Sequence, residues 1–457
     1  MAARTARTPT TAPPSTERSA LTVPAPLSAP SRTAATDRSR WPDVAVLPRS
    51  SRLRTAVTAR LVGRALDKLP LRVRLPDGSS LGQGGPLLEL RDPDAFHHRL
   101  GRSGLIGFGE SYMAGEWEAP DLVGVLAVFA EHAASLFPAW MQKLRHLWAP
   151  RHPAAQRNTT RGARENIHRH YDLSNDLFAL FLDETLTYSS AVFRGFPATW
   201  EALPDAQRRK TDLLLDLAGV GPGTRMLEIG TGWGDLAIRA AQRGAEVVTV
   251  TLSSEQLELA TARVREAGCG DRVTLLLRDY RQVRGEYDAI VSVEMIEAVG
   301  HEYWPVYLAA LDRLLAPGGK AALQAITMDH QRMLATRHTY TWIQKYIFPG
   351  GLVPSREALR RLTEEDTALR LSRHEGFGAH YAETLRLWRE RFAERDEDVT
   401  ALGFDATFQR MWTLYLAYSE AGFRTGYLDV EQLLFLKEPV RSTKTTTPIP
   451  NPRGEAQ

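Results

Sequence analysis

One cysteine, Cys269, stands in a chain of 457 residues, which excludes an intrachain disulfide framework and a cysteine-rich zinc site. It lies in Glu266-Ala-Gly-Cys-Gly-Asp271, which reads as a surface loop, and no role is assigned to it. Long apolar runs are also missing. Leu122-Val-Gly-Val-Leu-Ala-Val-Phe-Ala130 is about half of the ~20 residues that a bilayer-spanning helix needs. Arg4 and Arg7 are followed by Pro, Thr, Ser and Ala where a secretion signal would place its apolar centre. The expected location is therefore the cytoplasm, or the inner membrane face as a peripheral protein. His168, His170, His301, His330, His338 and His380 show no metal-ligand spacing, so no metal is expected. Asn158-Thr-Thr160 is formally a glycosylation sequon, which has no meaning in a cytosolic chain.

Acidic residues are scarce in two places. Residues 1–60 hold ten arginines against three acids, although the whole chain carries only +3. From Pro138 to Arg164 there is no acid beside Lys143, Arg145, Arg151, Arg157, Arg161 and Arg164. Such blocks suit anionic lipid headgroups or nucleic acid, or serve as solvated linkers. Hydrophobic content of 43% and charged content of 24% are those of an ordinary globular protein with ample core.

Residues 1–45, rich in Pro, Ser, Thr and Ala, have too little apolar surface to order and read as a disordered arm. A small α+β domain follows over 46–148. Its signals are helical spacing over Ala56–Leu69, strands at Leu71–Leu75 and Pro86–Leu90, and helices at Asp94–Leu100 and Leu122–Ala130. A basic linker over 149–164 leads to a domain over 165–437, and a Thr- and Pro-rich flexible tail occupies 438–457. In the larger domain strands are expected at Arg225–Ile229, Glu246–Thr251, Val273–Leu277, Tyr287–Val293 and Lys320–Ile326. Helices are expected at Asp235–Gln242, Ser254–Glu266, Tyr303–Leu315 and Glu357–Glu364. This alternation predicts an α/β fold with a doubly wound, mostly parallel, Rossmann-like sheet.

The stretch Met226-Leu-Glu-Ile-Gly-Thr-Gly-Trp-Gly-Asp235 carries the first chemistry. An apolar strand ends at Glu228, and Gly230, Gly232 and Gly234 then fall at every second position before a helix. Glycines are needed where a loop turns tightly and its backbone must touch a ligand. A G-x-G-x-x-G spacing would indicate a dinucleotide. The E-x-G-x-G-x-G spacing resembles motif I of the S-adenosylmethionine (SAM) methyltransferases. The second strand ends in Thr251-Leu-Ser, without the carboxylate that would hold a nicotinamide cofactor's ribose.

Further stretches fall in order along the chain: His170-Tyr-Asp-Leu-Ser-Asn-Asp-Leu-Phe178, Leu186-Thr-Tyr-Ser-Ser190, Val250-Thr-Leu-Ser-Ser-Glu-Gln256, Met295-Ile-Glu-Ala-Val-Gly300, Lys345-Tyr-Ile-Phe-Pro-Gly-Gly351 and Tyr415–Arg424. With the glycine loop they resemble the cyclopropane-fatty-acyl-phospholipid synthase and mycolic acid methyltransferase family over roughly residues 60–437. Gly107-Phe-Gly-Glu-Ser-Tyr-Met-Ala-Gly-Glu-Trp117, Val293–Gly300 and Gln324-Ala-Ile-Thr-Met328 look most like its actinobacterial branch, which methylates oleoyl chains on the tuberculostearic acid pathway.

The resemblance implies that a cis alkene of an unsaturated phospholipid attacks the methyl of SAM, with loss of a proton to a bound bicarbonate. For SAM it implies Tyr188, Ser189, Glu228, Gly230, Thr231, Gly232, Trp233, Gly234, Thr251, Leu252, Gln256, Asp279 and Tyr280, Gln256 replacing the missing ribose carboxylate. For bicarbonate it implies Ser190, Glu297, Gln324, Ile326 and Tyr381. Ser190 stands where the cyclopropane pattern has Cys, Gln324 where it has His, and Ala298 where a His commonly follows the Glu. These departures favour the 10-methylene product, which a flavin- or NADPH-dependent reductase would saturate to 10-methylstearate. The alternative within the class is a cyclopropane-fatty-acyl-phospholipid synthase. Aromatic faces suit a carbocation, and Trp342, Tyr346, Phe348, Tyr381 and Trp388 are candidates for at most two such places. The small domain is expected to dock on the membrane, and a homodimer is allowed.

Two other classes are weighed. A degenerate, lipid-binding relative would explain the replaced bicarbonate positions, but Glu228, the three glycines and Glu297 are intact. A nucleic-acid methyltransferase would explain the basic blocks, but no N/DPPY-like or catalytic cysteine motif accompanies them. No nucleic-acid partner is expected.

Overall fold

The computed structural model describes residues 36–49, 51–132, 153, 158–159, 162–163 and 174–438. Most of the expected arm, linker and tail, with His168 and His170, lies outside them.

The small module runs α1 (Pro42–Ala45), α2 (Arg52–Leu66), β1 (Arg72–Arg74), β2 (Ser80–Leu81), β3 (Leu87–Leu90), α3 (Pro93–Ser103), α4 (Leu105–Met113), β4 (Trp117–Glu118) and α5 (Leu122–Glu131). Its sheet has the order β2-β1-β3-β4. Alternation buries Val73, Leu88 and Leu90 on one face. Asp92 and Asp121 cap α3 and α5 by accepting from the N–H groups of Ala95 and Gly124. Within the expected arm, residues 36–45 are not free. Trp41 is buried and its Nε1 donates to Asp405 at 2.8 Å. Buried Arg99 donates to the carbonyls of Asp43 and Val44. Composition alone misses this, because the partners are distant in sequence.

The larger part continues with α6 (Asn175–Phe181), α7 (Leu203–Ala218), β5 (Arg225–Ile229), α8 (Asp235–Gln242), β6 (Glu246–Thr251), α9 (Ser254–Glu266), β7 (Val273–Leu277), β8 (Tyr287–Val293), α10 (Ile296–Val299), α11 (Trp304–Leu314) and β9 (Leu315–Met328). It ends with α12 (His330–Thr336), α13 (Trp342–Tyr346), α14 (Arg356–Asp366), β10 (Leu369–Gly376), α15 (Gly378–Glu394), α16 (Asp396–Ala401), α17 (Ala406–Arg424) and β11 (Leu428–Lys437). The sheet order is β10-β11-β9-β8-β5-β6-β7. β7, β6, β5, β8 and β9 are parallel, and β11 runs antiparallel between β9 and β10. The chain reverses strand order beside β5, which places the glycine loop at the switch point of the sheet. β9 is longer than the expected Lys320–Ile326, because β11 pairs with it as far as Met328 and β8 meets it at Leu315 through Tyr287.

Apolar side chains of α7 and α8, including Leu214, Leu215, Ala237 and Ala240, form one buried cluster with β5 and β6. Trp304, Tyr307 and Leu311 of α11 belong to another, with Leu227 and Ile290. A third cluster unites the small module with the C-terminal helices: Trp117 and Val125 share it with Phe178, Trp388 and Trp412. The module is thus one wall of a common core. Cys269, expected in a surface loop, is 7% exposed and packs with Val264 and Val273, since a free thiol behaves as a small apolar group. Among the described residues no group of His, Cys, Asp and Glu could hold a metal.

Candidate functional site

At the carboxyl end of β5 the chain turns through Gly230, Gly232 and Gly234 at φ +101°, +52° and +92°. An added Cβ at Gly230 would lie 2.6 Å from Met295 Cγ, so this glycine is needed for space as well as for its backbone angle. Thr231 and Thr249 share a 2.7 Å hydroxyl hydrogen bond beneath the loop. Trp233 is buried against Phe178, and its Nε1 donates to Asn175 of α6 at 2.8 Å. The Thr231 and Trp233 side chains therefore fasten the loop below and above.

Around the loop lies a buried group of acids. Burial pushes Glu228 up to about 8 and raises Asp235 at the start of α8 and Asp183. Lys210, on the inward face of α7, is 1% exposed and feels Glu294, Asp235, Asp183 and Glu228. Burial brings it down to about 8, and its Nζ donates to Ser189 Oγ at 2.7 Å. Three buried acceptors, Glu228 Oε2, Asp235 Oδ2 and Gln207 Oε1, have no partner. Buried acceptors rarely stay unpaired in a finished site. A buried acidic cluster with open acceptors suits a ligand bearing an ammonium, a sulfonium and ribose hydroxyls, as SAM does. At the end of β6, Thr251 Oγ1 donates to Gln256 Oε1 at 2.9 Å, which leaves the Gln256 amide N–H groups outward from that bond. Leu252 beside it is half-buried. Asp279 is buried, but both its oxygens accept from Arg281, whose guanidinium lies over the Tyr280 ring. Tyr188 hydroxyl bonds to that of Tyr415 at 2.7 Å, with Phe178 and Trp388 against its ring.

The second centre forms where β8 ends. Glu294 there has φ +50°, a strained angle for a residue with a side chain. Its N–H donates to the Gln324 carbonyl at 2.7 Å. Three donors converge on its carboxylate: Ser190 N–H at 3.0 Å and Gln324 Nε2 at 2.9 Å on Oε1, and Tyr381 hydroxyl at 2.7 Å on Oε2. Gln324 is oriented by β11, since Gln432, its register partner, donates to Gln324 Oε1 at 3.2 Å. Glu297 accepts from the Ile326 N–H, and its Oε2 is buried without a partner. Burial and the neighbouring Glu294 push Glu297 up to about 8.

The structure thus brings together Ser190, Gln324, Tyr381, Ile326 and Glu297, but around a side chain that was not among the expected site residues. A bicarbonate ion does not fit this arrangement. The donors expected to hold it already serve Glu294, and a further anion would join two buried carboxyls. Glu294 stood inside the quoted motif Val293–Gly300, yet nothing in the spacing told it apart from Glu297. Lys210 had a weak signal, a lysine four residues from Ala206 and Leu214 on an apolar stripe. Of the aromatic candidates, Tyr381 and Trp388 lie near Tyr188 and Phe423. Phe348 meets Tyr415. Trp342 and Tyr346 belong to the junction with α4, through Met113 and Glu110. Asn158 is buried and donates to the carbonyls of Ala298 and Gly350, which makes it a clamp on the Glu297 loop.

The family model for mycolic acid cyclopropane synthetase matches residues 158–433. Tuberculostearic acid methyltransferase UfaA1 of Mycobacterium tuberculosis is 55% identical over 414 residues, 89% of this chain and 97% of that protein. Cyclopropane-fatty-acyl-phospholipid synthase of Escherichia coli is 33% identical over 350 residues, 76% of this chain and 87% of that one. Among solved structures, mycolic acid cyclopropane synthase CmaA1, complexed with SAH and CTAB, aligns with a TM-score of 0.55 and 32% identity, covering 60% of this chain and 98% of that one.

Proposed function

The chain belongs to the mycolic acid cyclopropane synthetase family, and from that premise we propose that it is a SAM-dependent C-methyltransferase of unsaturated phospholipid, converting the cis double bond of oleoyl chains into a 10-methylene branch. The observation that carries this reading is the junction of two sites. A buried acidic cluster at the glycine loop suits the methyl donor, and a buried carboxylate with aromatic neighbours lies next to it, both acting on Lys210. The likeness to UfaA1 extends well beyond residues 158–433 and supports the same substrate class.

SAM supplies an electrophilic methyl when bound. The residues proposed to hold it are Tyr188, Ser189, Glu228, the loop Gly230–Gly234, Thr251, Leu252, Gln256, Asp279 and Tyr280. An alkene is a poor nucleophile, so the protein's work is alignment and exclusion of water. Buried Trp233, Tyr381, Trp388 and Phe423 supply apolar walls for that purpose. Tyr188 and Tyr381 offer ring faces that stabilise a cation without capturing it. The exocyclic methylene would be the substrate of a reductase that saturates it.

Docking on the inner membrane face is part of this proposal. Among the described residues no helix is long and apolar enough to cross a membrane. α2 instead exposes Leu53, Val57 and Leu61, spaced four apart on one face, beside exposed Arg52, Arg54, Arg60 and Arg64. An apolar stripe edged by arginines and free of acids matches an anionic lipid surface.

The test is expression in a bacterium whose phospholipids contain oleate, followed by mass spectrometry of the fatty acids. A product one carbon heavier with an exocyclic methylene is expected. A cyclopropane ring would replace the methylene reading with the alternative synthase and leave the class intact.

A further inference from the structure

We infer that the carboxylate of Glu294 is the base of the reaction, built into the chain at the place where a bicarbonate ion was expected. This rests on the methyltransferase reading and deepens it. Ser190, Gln324 and Tyr381, three of the residues expected around bicarbonate, donate instead to the two Glu294 oxygens. A carboxylate offers about four lone-pair directions, so three donors hold it and one direction stays open for a proton. The backbone is strained to put it there: φ is +50° at Glu294, the left-handed region that residues with a side chain rarely adopt outside functional sites. Neutral Gln324 and the Ser190 N–H cannot compete as bases, and the Gln324 amide is locked by Gln432 on the next strand. Glu297, with one backbone donor and an unpartnered Oε2, is the member of the pair suited to carry a proton already. Burial raises Glu294 above the ordinary carboxylate range, which strengthens it as an acceptor.

The step balances without a further reagent. The alkene π pair forms a C–C bond to the donor methyl, and the C–S bond breaks with its pair on sulfur. A hydride moves from the methylated carbon to the neighbouring cationic carbon, leaving a tertiary cation. A proton then passes from the added methyl to Glu294, and its C–H pair becomes the exocyclic double bond. Loss of that proton before the hydride shift, with ring closure, would give the cyclopropane by the same base.

The test uses the full-length enzyme, SAM and oleoyl phospholipid vesicles in buffer stripped of carbon dioxide under argon, with and without added bicarbonate. The wild type is expected to turn over equally in both, within about twofold. E294Q should lose on the order of 10²–10⁴-fold in turnover while binding SAM normally by calorimetry. E294G, which relaxes the backbone and empties the carboxylate position, should regain activity in proportion to added bicarbonate. Wild-type turnover that rises saturably with bicarbonate would overturn the assignment, as would an E294Q variant within threefold of wild type. Methyl transfer to no unsaturated phospholipid under any condition would overturn the methyltransferase reading and this one together.

Discussion

Gly230 and Gly232 share a loop and a left-handed backbone, yet their surroundings separate them. A Cβ at Gly230 meets Met295 at 2.6 Å, whereas nothing lies within 4 Å of one at Gly232. Gly232→Ala should cost about 1–2 kcal/mol, the penalty of a left-handed side-chain residue. Gly230→Ala should cost more, because Met295 must also move; melting curves of the two variants would rank them. Glu297 gives a pH prediction. Its folded value near 8 lies above the ordinary carboxyl value of about 4.3, so the folded chain binds the extra proton between them. That contribution is full below pH ~4 and is lost as pH rises through 8, and Glu228 adds to it with the same sign. Lys210, lowered to about 8, acts in the opposite sense only above that pH. The melting temperature of the ligand-free protein should therefore fall between pH 5 and 8, and E297Q should flatten the fall by up to about one proton. Because glutamine mimics the uncharged acid and still accepts from Ile326, E297Q should keep turnover within about tenfold at pH 7, unlike E294Q. The glycine loop was legible from its spacing, whereas the other expected site residues came from the resemblance of whole motifs to a family. Glu294 was not, since its importance lies in a turn at the end of β8 that directs it, and not its neighbour, toward Ser190, Gln324 and Tyr381.

Among the elements, β5 to β8 were legible to the residue because each is a short, largely apolar run bounded by glycine, charge or, after β6, serine. β10 and β11 were not. β10 reads Leu369-Arg-Leu-Ser-Arg-His-Glu-Gly376, mostly polar and exposed, and it becomes a strand only because β11 pairs with it across a long gap in sequence. α17 shows how a late element completes an early one. Its Arg410 is buried and donates to the carbonyls of Tyr112 and Trp117 and to Glu118, all in the small module. Arg410→Met would leave Glu118 buried with only the longer contact to Arg91. A loss of about 3–5 kcal/mol is expected in urea unfolding. Arg410→Lys should recover only part of it, since an ammonium cannot span two carbonyls and a carboxylate with a planar fork.

For the molecule as a whole, charge placement matters more than its sum. A net +3 predicts little, but exposed Arg52, Arg54, Arg60 and Arg64 lie on one helix with Leu53 at 76% exposure and no acid between them. Because the module bearing α2 shares a core with Phe178, Trp388 and Trp412, a membrane held by α2 is held in fixed relation to the site. Each arginine near an anionic surface contributes about 1 kcal/mol, and screening over a Debye length of about 8 Å at physiological salt removes much of it as salt rises. Binding to vesicles containing phosphatidylglycerol should therefore weaken steeply with added salt, whereas binding to phosphatidylcholine vesicles should be weak throughout. Replacing Leu53 and Val57 by Glu should spare the fold, since both side chains are exposed. It should lower sedimentation with anionic vesicles about tenfold or more, as it removes two apolar contacts and sets acids beside the arginines. Turnover of detergent-dispersed oleoyl lipid should stay unchanged in that variant, because Leu53 and Val57 are exposed and α2 contributes no residue to either centre of the site. An equal loss on dispersed lipid would show that α2 serves the site itself and would remove the case for it as the membrane face.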